Sequence, residues 1–144
     1  MGRNRIICDF DGTLVNIAPI ANFVGDWDEF HPRTFDCPPN QAIIDFMALM
    51  EEHYEVVVVT GKGDKFYPQM CDWVTKYCFA PDAILMRPVG NFMSDAELKP
   101  FLMEQEYGPD WESSVLFALE DRDKMVDAWR ALGITCLQCA RSLY

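Results

Sequence analysis

The chain has 144 residues, half of them hydrophobic, which suits one domain with a substantial core and excludes a disordered polypeptide. Aspartate and glutamate number 23 against 12 lysines and arginines, a formal charge of -11 that excludes wrapping a long polyanion by bulk electrostatics. No apolar run approaches the roughly 20 residues of a membrane helix, and the stretch after the first five residues is too short for a signal peptide, so a soluble cytoplasmic chain with no membrane partner is expected.

The first strand is expected over about Arg5 to Phe10, an apolar run that climbs into Asp9-Phe10-Asp11-Gly12-Thr13. Side chains two residues apart on a strand point the same way, so Asp9 and Asp11 can face one small site. Ligands of open α/β sheets gather at such carboxyl strand ends. Asp11 to about Pro38 reads as an irregular flap (residues 12–38) carrying Phe23, Trp27, Phe30 and Phe35, whose rings are expected to fold back onto the core. A helix follows from about Pro39 to His53, with Ile43, Ile44, Phe46, Met47 and Met50 as its apolar stripe. The second strand is Glu55 to Val59, whose four valines predict burial on both faces, and it is expected to end at a loop, Thr60-Gly61-Lys62-Gly63.

The next helix, about Lys65 to Tyr77, turns Phe66, Met70, Trp73 and Val74 inward, and Ala83 to Met86 is the third strand. After a loop over 87–93, Ser94-Asp95-Ala96-Glu97 has capping-box spacing, although Pro100 suggests a kink or a later helical start. That helix runs to about Tyr107. The fourth strand spans about Ser114 to Leu119 and ends in Glu120-Asp121, a helix covers Asp123 to Leu132, and Ile134 to Gln138 is the fifth strand. Strands alternating with helices predict an α/β, Rossmann-like parallel five-stranded sheet with helices on both faces, one domain over 1–144, with a small flap as its only lid. Cys136-Leu-Gln-Cys139 has metal-ligand spacing but no second pair to complete a zinc site, so all six cysteines are expected as reduced thiols.

Chemistry-bearing residues recur at successive strand ends: Asp9 and Asp11, then Thr60, then Lys99 after the third strand's loop, then Glu120 and Asp121. A phosphate monoester is a double anion, which a carboxylate attacks only when its charge is offset. Carboxylates holding a divalent cation, with a lysine and a hydroxyl on the other phosphate oxygens, meet that need.

These four pieces, in this order, resemble the four motifs of the haloacid-dehalogenase-like (HAD) phosphotransferases. The resemblance implies Asp9 as nucleophile, forming an aspartyl-phosphate, and Asp11 as the acid and base that also offers its backbone carbonyl to the metal. It implies Mg²⁺ held by Asp9, Asp11 and Asp121 with Glu120, and phosphate bound by Thr60, Gly61 and Lys99. A closer resemblance is to the 3'-phosphatase domain of bacteriophage polynucleotide kinase. It rests on Ala118-Leu-Glu-Asp-Arg-Asp-Lys-Met-Val-Asp-Ala-Trp-Arg-Ala-Leu-Gly and on Arg87 and Asp95 preceding Lys99. Lys62 stands where that domain has an arginine. This implies removal of 3'-phosphate from DNA or RNA ends, with Gly61, Lys62, Arg87 and Asp95 as substrate-binding residues.

No G-x-x-x-x-G-K-[ST] occurs, so 5'-phosphorylation is not expected from this chain, which leaves room for a separate kinase or ligase partner. Lys62, Lys65, Arg87, Lys99 and Arg122 are expected as a basic rim for a short contact with a nucleic-acid end. Two other readings stay open: a phosphatase of small nucleotides, and an inactive binding subunit of a repair complex, against which the intact Asp9, Asp11, Lys99 and Asp121 set speaks.

Overall fold

In the computed structural model, which describes residues 2–144, one parallel sheet runs in the order β3-β2-β1-β4-β5. The strands are β1 Arg5–Cys8, β2 Glu55–Gly63, β3 Ala83–Arg87, β4 Val115–Glu120 and β5 Cys136–Gln138. The helices are α1 Trp27–Arg33, α2 Gln41–Glu51, α3 Tyr67–Tyr77, α4 Asp95–Tyr107 and α5 Asp123–Ala131. The two-residue strand period divides the core in two. Ile6, Cys8, Val56, Val58 and Leu119 pack with Ile44 and Met47 of α2 and with Met70, Trp73 and Val74 of α3. Ile7, Val57, Val59 and Ala118 pack on the other face with Leu98, Leu102 and Met103 of α4 and with Met125, Val126 and Trp129 of α5. Val56 to Val59 are fully buried, and each contributes about 1.5 kcal/mol or more of apolar transfer. The expected α/β sandwich is therefore the observed one.

From β1 the chain moves outward through β2 and β3, then returns to the other side of β1 for β4 and β5. That reversal opens a crevice at the carboxyl ends of the central strands, where ligands of such sheets bind.

Several expected boundaries shift, and the shifts matter for the site. β1 ends at Cys8, so Asp9 and Asp11 lie in the turn beyond it, although the Asp9 amide still donates to the Leu119 carbonyl at 3.0 Å. β2 continues to Gly63, so Thr60-Gly61-Lys62-Gly63 is strand rather than loop, with an irregularity in its pairing to β3 between Val59 and Gly63. The flap is not irregular: it holds a 3₁₀ segment Ala18–Phe23, then α1, then a 3₁₀ turn Thr34–Asp36. Its Phe30 is buried, and Phe35 tilts against Phe10 at 6.2 Å between ring centroids, whereas Trp27 stays part-exposed. Helix α4 begins at Asp95 with Pro100 inside it, because Ser94 Oγ accepts from the Glu97 amide and caps the first turn.

Candidate active site

Asp9, Asp11, Thr60, Gly61, Lys62, Arg87, Asp95 and Lys99 line one open cleft of about 760 Å³ at the carboxyl end of the sheet. Glu120 and Asp121 adjoin Asp9 from the end of β4. The strand ends converge as their spacing predicts.

The Lys99 ammonium, almost fully buried, donates to Asp9 Oδ1 and Glu120 Oε1, both at 2.7 Å. Burial alone would raise the Asp9 pKa, but Lys99 more than offsets it and holds Asp9 below its ordinary value, an anionic carboxylate at neutral pH. Burial likewise works against the charge on Lys99, and the Asp9 and Glu120 carboxylates more than restore it. Glu120 also accepts from the Trp129 indole at 3.1 Å, yet burial and the Asp9 charge push it up to about 8. Asp121 is pushed up to about 9 by burial and by Asp9. Thr13 Oγ1 lies 3.2 Å from Asp9 Oδ2 and 3.4 Å from Asp121 Oδ1, within hydrogen-bonding reach of both. Gly12 completes the turn with φ +86°, and a Cβ there would run into the Asp121 carboxylate. That close approach explains why a glycine follows the second aspartate.

Asp9, Glu120 and Asp121 can each offer an oxygen within 4.8 Å of the others, and among the described residues they are the only such group. Asp9 and Glu120 share one ammonium ion, Asp121 has no ion pair within 4.0 Å among the described residues, and Glu120 Oε2 is buried without a partner. A hard oxygen donor set short of positive charge fits a divalent cation such as Mg²⁺. The Cys136–Cys139 pair forms no part of any such group; both are free thiols, pushed up to about 12 and about 11 mainly by burial.

Asp11 lines the same cleft, its pKa raised by burial more than Lys62 lowers it. Lys62 is not a rim residue. It is fully buried, and its ammonium lies 3.3 Å from Asp11 Oδ2, 2.9 Å from the His31 carbonyl, 2.8 Å from Thr34 Oγ1 and 3.1 Å from His31 Nδ1. His31 is pushed down to about 3 by burial and the nearby Lys62 and is neutral. Arg87 and Arg122 both grip Asp95, at 2.8 Å each, and Arg87 donates further to the carbonyls of Gly61 and Met93. A Cβ on Gly61 would collide with that Asp95 carboxylate. The expected basic rim is thus largely consumed internally, and Lys65 alone among the five has no acidic partner within salt-bridge distance among the described residues.

The residues that sequence reasoning missed are Thr13, His31, Thr34 and Trp129. Thr13 carried a usable signal, being the last letter of the DxDGT run. Trp129 lies in the segment that carries the closer resemblance, nine residues from Glu120, whereas His31 and Thr34 meet Lys62 across 31 and 28 residues and leave no local pattern.

The family model described as the polynucleotide kinase PNKP phosphatase domain matches residues 3–144. The chain belongs to this family. Among solved structures, a chain of a Pnkp1/Rnl/Hen1 complex is 24% identical with a TM-score of 0.78, and a chain of a Pnkp1/Rnl/Hen1 RNA repair complex is 25% identical with a TM-score of 0.77. Each match covers 98% of this PNKP-type phosphatase domain but only 47% and 44% of those chains, so it spans less than half their length. A hydrolase from Streptococcus pneumoniae is similar in fold at 12% identity and a TM-score of 0.60, covering 98% of this chain and 95% of its own. The HAD-like fold is thus shared over 98% of the chain. No helix among the described residues is long and apolar enough to cross a membrane.

Proposed function

We propose that this domain is a Mg²⁺-dependent phosphomonoesterase that removes 3'-phosphate from DNA or RNA ends through an aspartyl-phosphate on Asp9. The observation that carries this reading is the buried Lys99 ammonium bridging Asp9 and Glu120 at 2.7 Å, beside an Asp121 with no cation of its own. Asp9, the Asp11 backbone carbonyl and Asp121, with Glu120 directly or through water, would hold the ion. When bound, Mg²⁺ neutralises phosphate charge next to the nucleophile.

The chain's own residues supply the rest. The Asp9 carboxylate attacks phosphorus as the ester P–O bond breaks, and Asp11 gives its proton to the departing oxygen. Its raised pKa, set by burial, suits an acid that enters the reaction protonated. Asp11 then takes a proton from the water that attacks phosphorus, the Asp9–phosphorus linkage breaks, and inorganic phosphate leaves. Thr60, the Gly61 amide and Lys99 face the same cleft and would hold the other phosphate oxygens.

Two features favour a nucleic-acid end. The cleft is covered only by a short flap, and its lip carries Phe92, which is 95% exposed, with Trp27 also lining it. Exposed rings beside a phosphate site suit bases, which stack on aromatic faces. A small nucleotide is the second reading, favoured by one observation: with Arg87 and Arg122 tied to Asp95, few rim charges remain for a following phosphate. The reading includes a separate kinase or ligase partner acting on the same ends, supported by the repair complex that supplies a structural match.

The test is a panel of 3'- and 5'-phosphorylated oligonucleotides, 3'- and 5'-mononucleotides and a sugar phosphate, with and without Mg²⁺. Clear Mg²⁺-dependent preference for the 3'-phosphorylated oligonucleotide is expected. Preference for 5'-mononucleotides over every 3'-phosphorylated end would leave only the general phosphatase reading.

A further inference from the structure

Lys62 is a fully buried lysine outside the Asp9 cluster. A lysine amine stripped of water needs partners for all its hydrogens, and here the flap provides them. The His31 carbonyl and Thr34 Oγ1, on either side of the α1 C-terminus, accept at 2.9 and 2.8 Å. The third close oxygen is Asp11 Oδ2 at 3.3 Å. The rings of Phe30, Phe35 and Phe66 lie around the amine, with centroids 5.0 to 5.9 Å away, at the wall of the cleft. With His31 Nδ1 at 3.1 Å as a further partner, the hydrogens of this ammonium are all engaged by the protein before any phosphate arrives.

The two oxygens of Asp11 are consequently unlike. Oδ2 faces Lys62, whereas Oδ1 is buried with no partner. An unpartnered carboxyl oxygen in a reaction cleft is the atom free to carry a proton toward a leaving group.

We propose that Lys62 is a positioning residue rather than a phosphate ligand: it pins Asp11 Oδ2 and latches the flap through His31 and Thr34, leaving Asp11 Oδ1 as the oxygen that serves the departing group. Flap closure and acid placement are then one event, because the same ammonium ion makes both sets of contacts. The inference rests on the phosphatase reading but not on the nature of the substrate's far end.

The test compares wild type, Lys62→Met, Lys62→Arg and Asp11→Asn on p-nitrophenyl phosphate and phenyl phosphate, two esters of similar size whose leaving groups differ in their need for a proton. Loss of acid placement should cost Lys62→Met on the order of tenfold or more in kcat on phenyl phosphate and several-fold less on p-nitrophenyl phosphate, in the same sense as Asp11→Asn. The inhibition constant for inorganic phosphate should stay within about twofold, and Lys62→Arg should recover most of the phenyl phosphate rate. If Lys62→Met does not fold, Thr34→Val removes one latch contact and should show the same leaving-group bias in milder form. Equal losses on both esters, or an inhibition constant for phosphate raised tenfold or more, would overturn the proposal and return Lys62 to phosphate binding. A wild type that hydrolyses both esters but no 3'-phosphorylated end would defeat the substrate assignment alone, with the Lys62 comparison still decided by the esters.

Discussion

The ionisation of a carboxylate at this site is set by the balance of burial against its nearest cation. Asp9 is held ionised by Lys99 at 2.7 Å, whereas burial raises the Asp11 pKa by more than Lys62, at 3.3 Å, lowers it. Two aspartates two residues apart are thereby pushed in opposite directions, the arrangement that nucleophile and acid require. Asp9→Asn should lower turnover at least about 10³-fold while the protein stays folded, since it removes the attacking atom and leaves Lys99 paired with Glu120. Single-turnover assays with a thermal melt check this, and near-wild-type rates from a folded variant would rule out the aspartyl-phosphate. Gly12→Ala is the steric counterpart. The φ of +86° alone should cost about 1 to 2 kcal/mol, and the new Cβ would displace the Asp121 carboxylate, so melting temperature and activity should fall together. A variant that loses neither would mean that the turn tolerates a shift of Asp121.

At the scale of elements, the sheet and α2 to α5 were legible because their signals are local. Four valines make β2 whatever surrounds them, Ser94 three residues before Glu97 starts α4, and Gly133 with φ +81° follows α5. Helix α1 was not legible: seven residues ending in Pro32-Arg33 hold no full apolar stripe, and it is defined by the packing of Trp27, Phe30 and His31 on Phe66 and Tyr144. Nor could a sequence show that Lys62 is buried, since a lysine after a strand normally sits in water. That Asp9, Asp11, Thr60 and Lys99 would meet in one cleft was legible from their spacing, whereas the rim charges were misjudged, because pairing of Arg87 and Arg122 through Asp95 depends on three elements meeting. On the proposed function, that pairing would leave substrate contact to the loop between β3 and α4. Phe92→Ala should therefore lower kcat/KM on a 3'-phosphorylated oligonucleotide by about 1 to 3 kcal/mol, the worth of one base stack, with a much smaller effect on p-nitrophenyl phosphate. Identical effects on both would make Phe92 a structural residue of the loop.

For the whole molecule, a formal charge of -11 and a buried carboxylate cluster make the metal a matter of stability as well as chemistry. Glu120 at about 8 and Asp121 at about 9 lie far above ordinary carboxyl values, because burial and the Asp9 charge oppose their ionisation. Between about pH 4 and those values the folded protein holds more protons than the unfolded chain, so stability of the metal-free protein declines as pH rises through that window. Asp9 runs the other way: its lowered pKa supports the fold above its unfolded value and is lost only in strong acid. A Mg²⁺ ion held as proposed would bind the deprotonated carboxylates, so it should restore what alkaline pH removes. At a hundredfold excess over its dissociation constant the ion contributes about 2.7 kcal/mol, or on the order of 10 °C in melting temperature for a domain of this size. The expected pattern is a melting temperature that falls from about pH 6 to about pH 9 in a chelator, flattens in excess Mg²⁺, and gives a metal-induced gain that grows with pH. Asp121→Asn should abolish most of that gain and, by removing one buried carboxylate, should weaken the decline in chelator. A gain from Mg²⁺ that is the same at both pH values, or one that survives Asp121→Asn in full, would place the ion elsewhere on this acidic surface.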